Sequence, residues 1–305
     1  MRIISLLPSA TEIVCELGLA DQLVGVSHDC DWPPAIHGKP VLSESLVGSD
    51  LPSAQIDDIV RQQVHNGRSV YHLNEQQLDV LKPDLILTQE LCEVCAPAYT
   101  DVVQAAKILD QPTKIVSLEP TTLEEILDNI RLVGHLTGQA AKAQQILDGL
   151  QHRIDKVAER GELIEAPPRV LCIEWLHPLF VAGHWVPQMV EMAGGDTFGE
   201  VGNHAYEIDW EEVARFNPEI IVIMPCGFDP ERTATELELL TSHDEWEELA
   251  AVKRDQVFLA HGSFYFNRPG PRVVTGLEIL AKAIHPKLFS DIDLPQGAMF
   301  KLGTM

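Results

Sequence analysis

The chain reads as an α/β protein of two Rossmann-like lobes, each a mainly parallel sheet with flanking helices, joined by one long helix. Three observations carry this reading. Short apolar runs alternate with helical patterns from one end to the other, the signature of parallel sheets covered by helices. A helical stretch from Thr122 to about Arg160 interrupts that alternation midway. The 305 residues are enough to bury two separate cores.

The strands expected in the first lobe are Arg2–Leu7, Leu23–Ser27, Asp84–Thr88 and Lys114–Leu118. Helices are expected over Ala10–Leu17, 50–66 and Thr100–Leu109, with Ile56, Ile59, Val60 and Val64 spaced for one apolar face. Thr122 followed by Glu125 makes a capping-box pattern at the head of the central helix. Leu123, Ile126, Leu127, Ile130, Val133 and Leu136 then keep a helical period, weakened locally by Gly134, Gly138 and Gly149. A continuous helix of that length spans roughly 58 Å, more than one small domain, so it is expected to connect two. Beyond Pro167-Pro168 come strands at Arg169–Ile173, Glu219–Met224 and Gln256–Ala260, and helices at Pro187–Ala193, Trp210–Phe216 and Pro271–Ile284. The expected division is 1–120, a connection over 121–166, 167–290, and a tail of 291–305.

The net charge of −24 opposes binding to nucleic acid or to an anionic membrane surface. No apolar run approaches the roughly 20 residues of a membrane-spanning helix. The apolar run Ile3–Leu7 is too short for a secretory signal and ends at Pro8, so a cytoplasmic location is expected. That location favours free or metal-bound thiols over disulfides for the six cysteines.

In parallel sheets, ligands bind beyond the carboxyl ends of the strands. The residues just after each expected strand are therefore the candidate ligand-binding residues. They are Pro8, Ser9, His28, Asp31, Trp32 and Glu90 in the first lobe. In the second they are Glu174, Trp175, His177, Phe228, His261, Phe264 and Tyr265, with Gly183, His184 and Trp185 nearby. Trp32, Trp175 and Trp185 could stack on a flat macrocycle. Cys92 and Cys95 form a C-x-x-C pair. With Cys30, Cys226 and His28 on neighbouring strand ends, that pair suggests a soft metal site for zinc or an iron–sulfur cluster. Cys15 and Cys172 fall inside apolar elements and read as core. Glu12, on the first helix, reads as a solvated or capping charge.

The run Ile4-Ser5-Leu6-Leu7-Pro8-Ser9-Ala10-Thr11-Glu12, then Leu17-Gly18 and Val24-Gly25-Val26-Ser27, resembles the opening of cobalamin-binding proteins of ABC importers. Asp31-Trp32-Pro33-Pro34, Leu81-Lys82-Pro83-Asp84-Leu85-Ile86, Pro178-Leu179-Phe180-Val181-Ala182-Gly183 and Gly270-Pro271-Arg272 continue the match along nearly the whole chain. The resemblance implies a binding protein rather than an enzyme. It implies that cobalamin, or a related metal chelate such as an iron chelate, sits between two lobes joined by a rigid helix. Residues 43–75 look like an insertion, the thiol set is foreign to the usual cobalamin cleft, and the missing export signal argues against an importer as partner.

The alternative reading is an intracellular metalloprotein or enzyme that uses the Cys/His cluster on the same scaffold. No nucleophile-elbow G-x-S-x-G, P-loop or dinucleotide-binding glycine pattern is present.

Overall fold

A computed structural model describes residues 1–48, 50–66, 69–89, 99–107 and 112–303. The chain divides into two compact units: Met1–Pro120 with Leu127–Leu147, and Thr121–Ile126 with Asp148–Met305.

The first unit opens with β1 (Ile3–Ser5), α1 (Pro8–Glu16) and β2 (Leu23–Val26). Residues 43–75 come next as β3 (Ser43–Ser45), α2 (Ser53–His65) and β4 (Tyr71–Leu73). Then come α3 (Glu75–Leu81), β5 (Leu85–Thr88), α4 (Tyr99–Ala106) and β6 (Lys114–Ser117). Four strands lie in the order β2-β1-β5-β6, every pair parallel. Strands β3 and β4 form a separate antiparallel ribbon, whose Leu73 joins Ile4, Leu6, Ile86 and Leu78 in the unit's core. Burial on both faces explains why β1 and β5 read as unbroken apolar runs rather than alternating ones. The sheet order turns back between β1 and β5, which places the first unit's crevice beyond Leu7 and Thr88.

The central helical stretch is two helices, α5 (Leu123–Leu136) and α6 (Ala140–Gly161), not the one expected. Gly138 adopts a left-handed φ of +71°, which an L side chain resists, and it stops the first helix. The N–H of Gln139 closes the turn by donating to the Gly134 carbonyl at 2.7 Å. A β-carbon on Gly134 would lie 2.4 Å from Cβ of Ala143, so the two helices pack through a position only glycine fits. At the head of α5 the capping pair forms as expected: Glu125 accepts from the N–H of Thr122 at 3.2 Å and donates its own N–H to Thr122 Oγ1 at 3.3 Å. Hydrogen bonds from the N–H and hydroxyl of Thr121, and then from the N–H of Thr122, hold the Glu125 carboxyl below its ordinary range.

The second unit continues with β7 (Arg169–Trp175), β8 (Phe180–Val181), α7 (Val186–Met192), β9 (Asp196–Thr197), β10 (Tyr206–Glu207), α8 (Trp210–Phe216) and β11 (Ile220–Ile223). Three short helices come after it, α9 (Pro230–Ala234), α10 (Glu238–Thr241) and α11 (Ala250–Lys253). The chain ends with β12 (Val257–Ala260), α12 (Gly262–Tyr265), α13 (Val273–Ile284) and β13 (Met299–Lys301). The sheet runs β10-β8-β7-β11-β12-β13, with β9 beside β7. Parallel strands β7, β11 and β12 form its centre, and antiparallel β8 and β13 flank them. Leu171, Ile173, Ile221, Ile223, Val257 and Leu259 from those three strands are buried in one core with Leu240 and Trp246. Arg153 of α6 forks onto Glu278 of α13 at 2.9 and 2.6 Å and onto Thr275 at 2.9 Å, which fixes α6 against the second unit's longest C-terminal helix.

Two expectations are corrected. The tail of 291–305 contains β13, an integral edge strand. Glu12 is 3% exposed inside α1 rather than solvated, because α1 is buried at every position from Ser9 to Val14.

Gly134→Ala should lower unfolding free energy by about 1–3 kcal/mol in urea titrations, where helix propensity alone would raise it by about 1. Glu278→Ala strands the half-buried Arg153 guanidinium and should cost about 1–3 kcal/mol in the same measurement.

Candidate functional site

In the first unit, the carboxyl ends of β1 and β2 are tied by a chain of small polar groups. Thr11 Oγ1 donates to Ser5 Oγ at 2.8 Å, and Ser5 Oγ donates to the Leu7 carbonyl at 3.0 Å. Cys30 Sγ lies 3.1 Å from Thr11 Oγ1 and 3.1 Å from Ser27 Oγ. Pro8 opens α1 and Ser9 beside it is buried. His28 is anchored twice to Ser43: its N–H donates to Ser43 Oγ at 3.1 Å, and Nδ1 lies 2.8 Å from the same oxygen. Its Nε2 sits 3.3 Å from Asp29, and its ring is 5.2 Å from that of Tyr71. The β3–β4 segment, expected as an insertion, therefore orients this histidine. Asp31 is exposed, and Trp32, before the cis Trp32–Pro33 bond, is 42% exposed. Beyond β5, Gln89 is buried and the buried Thr88 Oγ1 finds no hydrogen-bond partner among the described residues. Glu90, Cys92 and Cys95 lie outside the described residues.

In the second unit the strand ends bring most of the expected residues together. Glu174 and Trp175 finish β7. The Gly183 N–H points at the Glu174 carboxyl at 3.4 Å, yet burial dominates and pushes that carboxyl up from its ordinary 4.5 to about 7. The Trp175 ring lies 5.4 Å from Phe228, and its buried indole N–H has no acceptor among the described residues. The Arg232 guanidinium stands 4.5 Å over Phe228. After β12, His261 caps α12 by accepting from the Phe264 N–H at 3.3 Å, and its ring stacks on Phe264 at 3.9 Å. The guanidiniums of Arg272 and Arg268 lie 4.3 and 5.5 Å from the Phe264 ring centre. The Ser263 N–H donates to the Phe228 carbonyl at 3.3 Å, joining the two aromatic groups. Tyr265 is largely buried beside them. His177 is exposed in the turn before β8.

Gly183, His184 and Trp185 come after β8, which runs antiparallel to β7 and carries them back from its carboxyl end. Trp185 is 6% exposed, and its indole N–H donates to the Phe266 carbonyl at 2.8 Å. Burial and the neighbouring His204 hold the His184 imidazole below its ordinary range.

The expected thiolate–imidazole cluster is not assembled among the described residues, where no three His, Cys, Asp or Glu side chains converge as a metal site. Cys30 and His28 belong to the first unit and Cys226 to the second, neither thiol is in a disulfide, and Cys30 is engaged by hydroxyls. Of the two cysteines expected in the core, Cys172 is buried and Cys15 half-buried. Burial raises both thiols, that of Cys15 to about 11.

Arg232, Arg268 and Arg272 are functional candidates that the strand-end rule does not reach. Only Arg272 carries a signal in the sequence, as the last residue of Gly270-Pro271-Arg272.

Residues 3–263 match the periplasmic binding protein family. The ABC transporter substrate-binding lipoprotein YvrC of Bacillus subtilis, an uncharacterized protein, is 24% identical over 301 residues, covering 95% of this chain and 82% of its own. The vitamin B12-binding protein of Vibrio cholerae is 26% identical over 286 residues, covering 91% of this chain and 86% of its own. Among solved structures, a possible iron-binding periplasmic solute-binding protein of Staphylococcus epidermidis aligns with a TM-score of 0.71 at 24% identity, over 93% of this chain and 98% of that one.

These findings overturn the cytoplasmic expectation: family and relatives are periplasmic or lipoprotein binding proteins, which points outside the cytoplasm. The residues behind that expectation are β1 of the folded unit, so their apolar character reports a buried strand and carries nothing about targeting. The fold, the aromatic strand ends and the match over most of its length agree, and the chain belongs to the periplasmic binding protein family of ligand-binding proteins.

Proposed function

We propose that the protein binds a corrinoid or a closely related metal chelate and presents it to an ABC importer outside the cytoplasm, without chemical change to the ligand. The observation that carries this reading is the pairing of aromatic faces with guanidiniums at the strand ends of the second unit. Trp175 offers one such face, backed by the buried Phe228 that lies under Arg232, and Phe264 offers another beside Arg268 and Arg272. A large ring system with polar or acidic side groups suits both parts: its face packs on aromatics and its periphery meets cations. Only 22 Lys and Arg stand against 46 Asp and Glu in the chain, yet three arginines meet these rings, one of them, Arg232, also paired with Glu236 at 2.5 Å. The exposed Trp32 ring offers a further apolar face at the corresponding end of the first unit. The names of the relatives, one binding vitamin B12 and another described as iron-binding, support the same class of ligand.

Glu174 adds a polar group of a particular kind. With its carboxyl raised to about 7, it is a neutral acid under mildly acidic conditions and donates a hydrogen bond.

Titrating reduced protein with aquocobalamin should saturate at one equivalent with a shift of the visible corrin bands. Trp32→Ala should weaken that binding roughly tenfold, the value of a lost aromatic stack. A flat cobalamin titration with a saturable hemin titration would move the ligand to another chelate, and two flat titrations would sink the reading.

The raised Glu174 carboxyl also makes stability depend on pH. The folded state holds this proton more tightly than the unfolded chain, so stability is greatest below about 4.5 and declines as pH rises toward 7. The contribution is on the order of 3 kcal/mol. Glu174→Gln should flatten this part of the profile in urea unfolding at pH 5 and pH 8, and should raise stability at the higher pH.

A further inference from the structure

The geometry points to a surface site for a divalent late transition-metal ion on the His184–His204 pair of the second unit, a site independent of the aromatic–guanidinium groups. His184 Nε2 lies 3.1 Å from His204 Nδ1, with the rings nearly perpendicular at 84°. Two imidazole nitrogens with bonds of about 2.0–2.1 Å stand about 2.8 Å apart when cis on a tetragonal ion and about 3.3 Å apart on a tetrahedral one, so the pair needs a shift of only a few tenths of an ångström for either.

The backbone holds this pair in place at a conformational cost. His184 is a non-glycine residue with a left-handed φ of +53°. Such a conformation is strained and persists only where surrounding contacts impose it. Here the His184 N–H donates to the Asn203 carbonyl at 2.5 Å, and the Gly202 N–H donates to the His184 carbonyl at 2.9 Å. The residue before it is glycine because a β-carbon there would sit 2.3 Å from the Ala205 nitrogen, within the same loop. Asn203 in turn donates from its side-chain amide to Glu200. The loop bearing His204 is thus bonded directly to the backbone bearing His184, and the two rings are brought together by main-chain contacts rather than by their own attraction.

The environment favours coordination over charge. His184 is half-buried, and its Nε2 faces His204 Nδ1 rather than a carboxylate. His204 is exposed, so an ion can reach the pair from solvent. Two imidazoles without a third side chain leave the remaining positions to water, consistent with the absence of a three-residue metal group among the described residues. Copper(II) is the strongest binder expected of two nitrogens and water, ahead of nickel(II) and zinc(II).

The test is a copper(II) titration of metal-stripped protein in which Cys92 and Cys95 are replaced by serine, which removes competition from that thiol pair. Electron paramagnetic resonance should show one equivalent of copper with superhyperfine coupling to two nitrogens. His204→Gln, a change at an exposed position, should lower the affinity at least about tenfold and remove the two-nitrogen pattern while leaving the thermal melt unchanged. An unchanged two-nitrogen signal in His204→Gln, or no bound copper at millimolar concentrations, would overturn the site. Cobalamin titration of the same variant should be unaltered, which separates this result from the chelate reading.

Discussion

Parallel strand pairing is the constraint on which the rest of the molecule depends. A parallel pair cannot be closed by a tight turn, so each connection crosses a face of the sheet and covers it. In both units the central strands, β1 and β5 in one, β7, β11 and β12 in the other, are consequently buried along most or all of their length. Nothing along such a strand is open to a ligand. The positions free to vary are those where the backbone leaves the sheet, and there the molecule places its aromatic rings, histidines and guanidiniums. The core and the site are the interior and the ends of the same strands.

Packing then decides which of those end residues remain available. Trp32, Trp175 and Trp185 are chemically equal as stacking platforms, but their surroundings separate them. Trp185 acts as a bolt between the β8–α7 turn and the Phe266 carbonyl. Trp175 is half-covered beside Phe228, and Trp32 projects to solvent. Cysteine shows the same sorting: Cys30 closes a hydroxyl network, while Cys172 is sealed in the second core.

The central parallel strands are legible in the sequence because burial on both faces imposes continuous apolar runs, and each expected boundary falls within two residues of the observed one. The short elements are not. Strands β9 and β10 have two residues each, too few for any period, and β13 comes after a loop with no apolar pattern of its own. The break between α5 and α6 is written in Gly138, but a helical period on both sides of it hides a two-helix turn that preserves the apolar phase. Candidate site residues on strand ends are legible because that position is topological. Their partners are not: Ser43 reaches His28 across 15 residues and Phe266 reaches Trp185 across 81, through contacts that only the folded chain creates. The arginines escape for a related reason, since a guanidinium over a ring is invisible until both are placed. The expected metal cluster is built on Cys92 and Cys95, which lie outside the described residues; among the described ones, Cys30 is taken up by the hydroxyls of Thr11 and Ser27.

The edge strand β13 bears on how the protein can be handled. Its antiparallel pairing covers the outer side of β12, and the segment before it accepts the His261 N–H at the Ala298 carbonyl at 3.0 Å. Cutting the chain before Met299 would therefore do more than shorten it. It would bare a row of main-chain donors and acceptors on an apolar strand, the template by which sheets of separate molecules add to one another. The residues of β13 act as a selvedge that keeps the sheet from fraying into self-association.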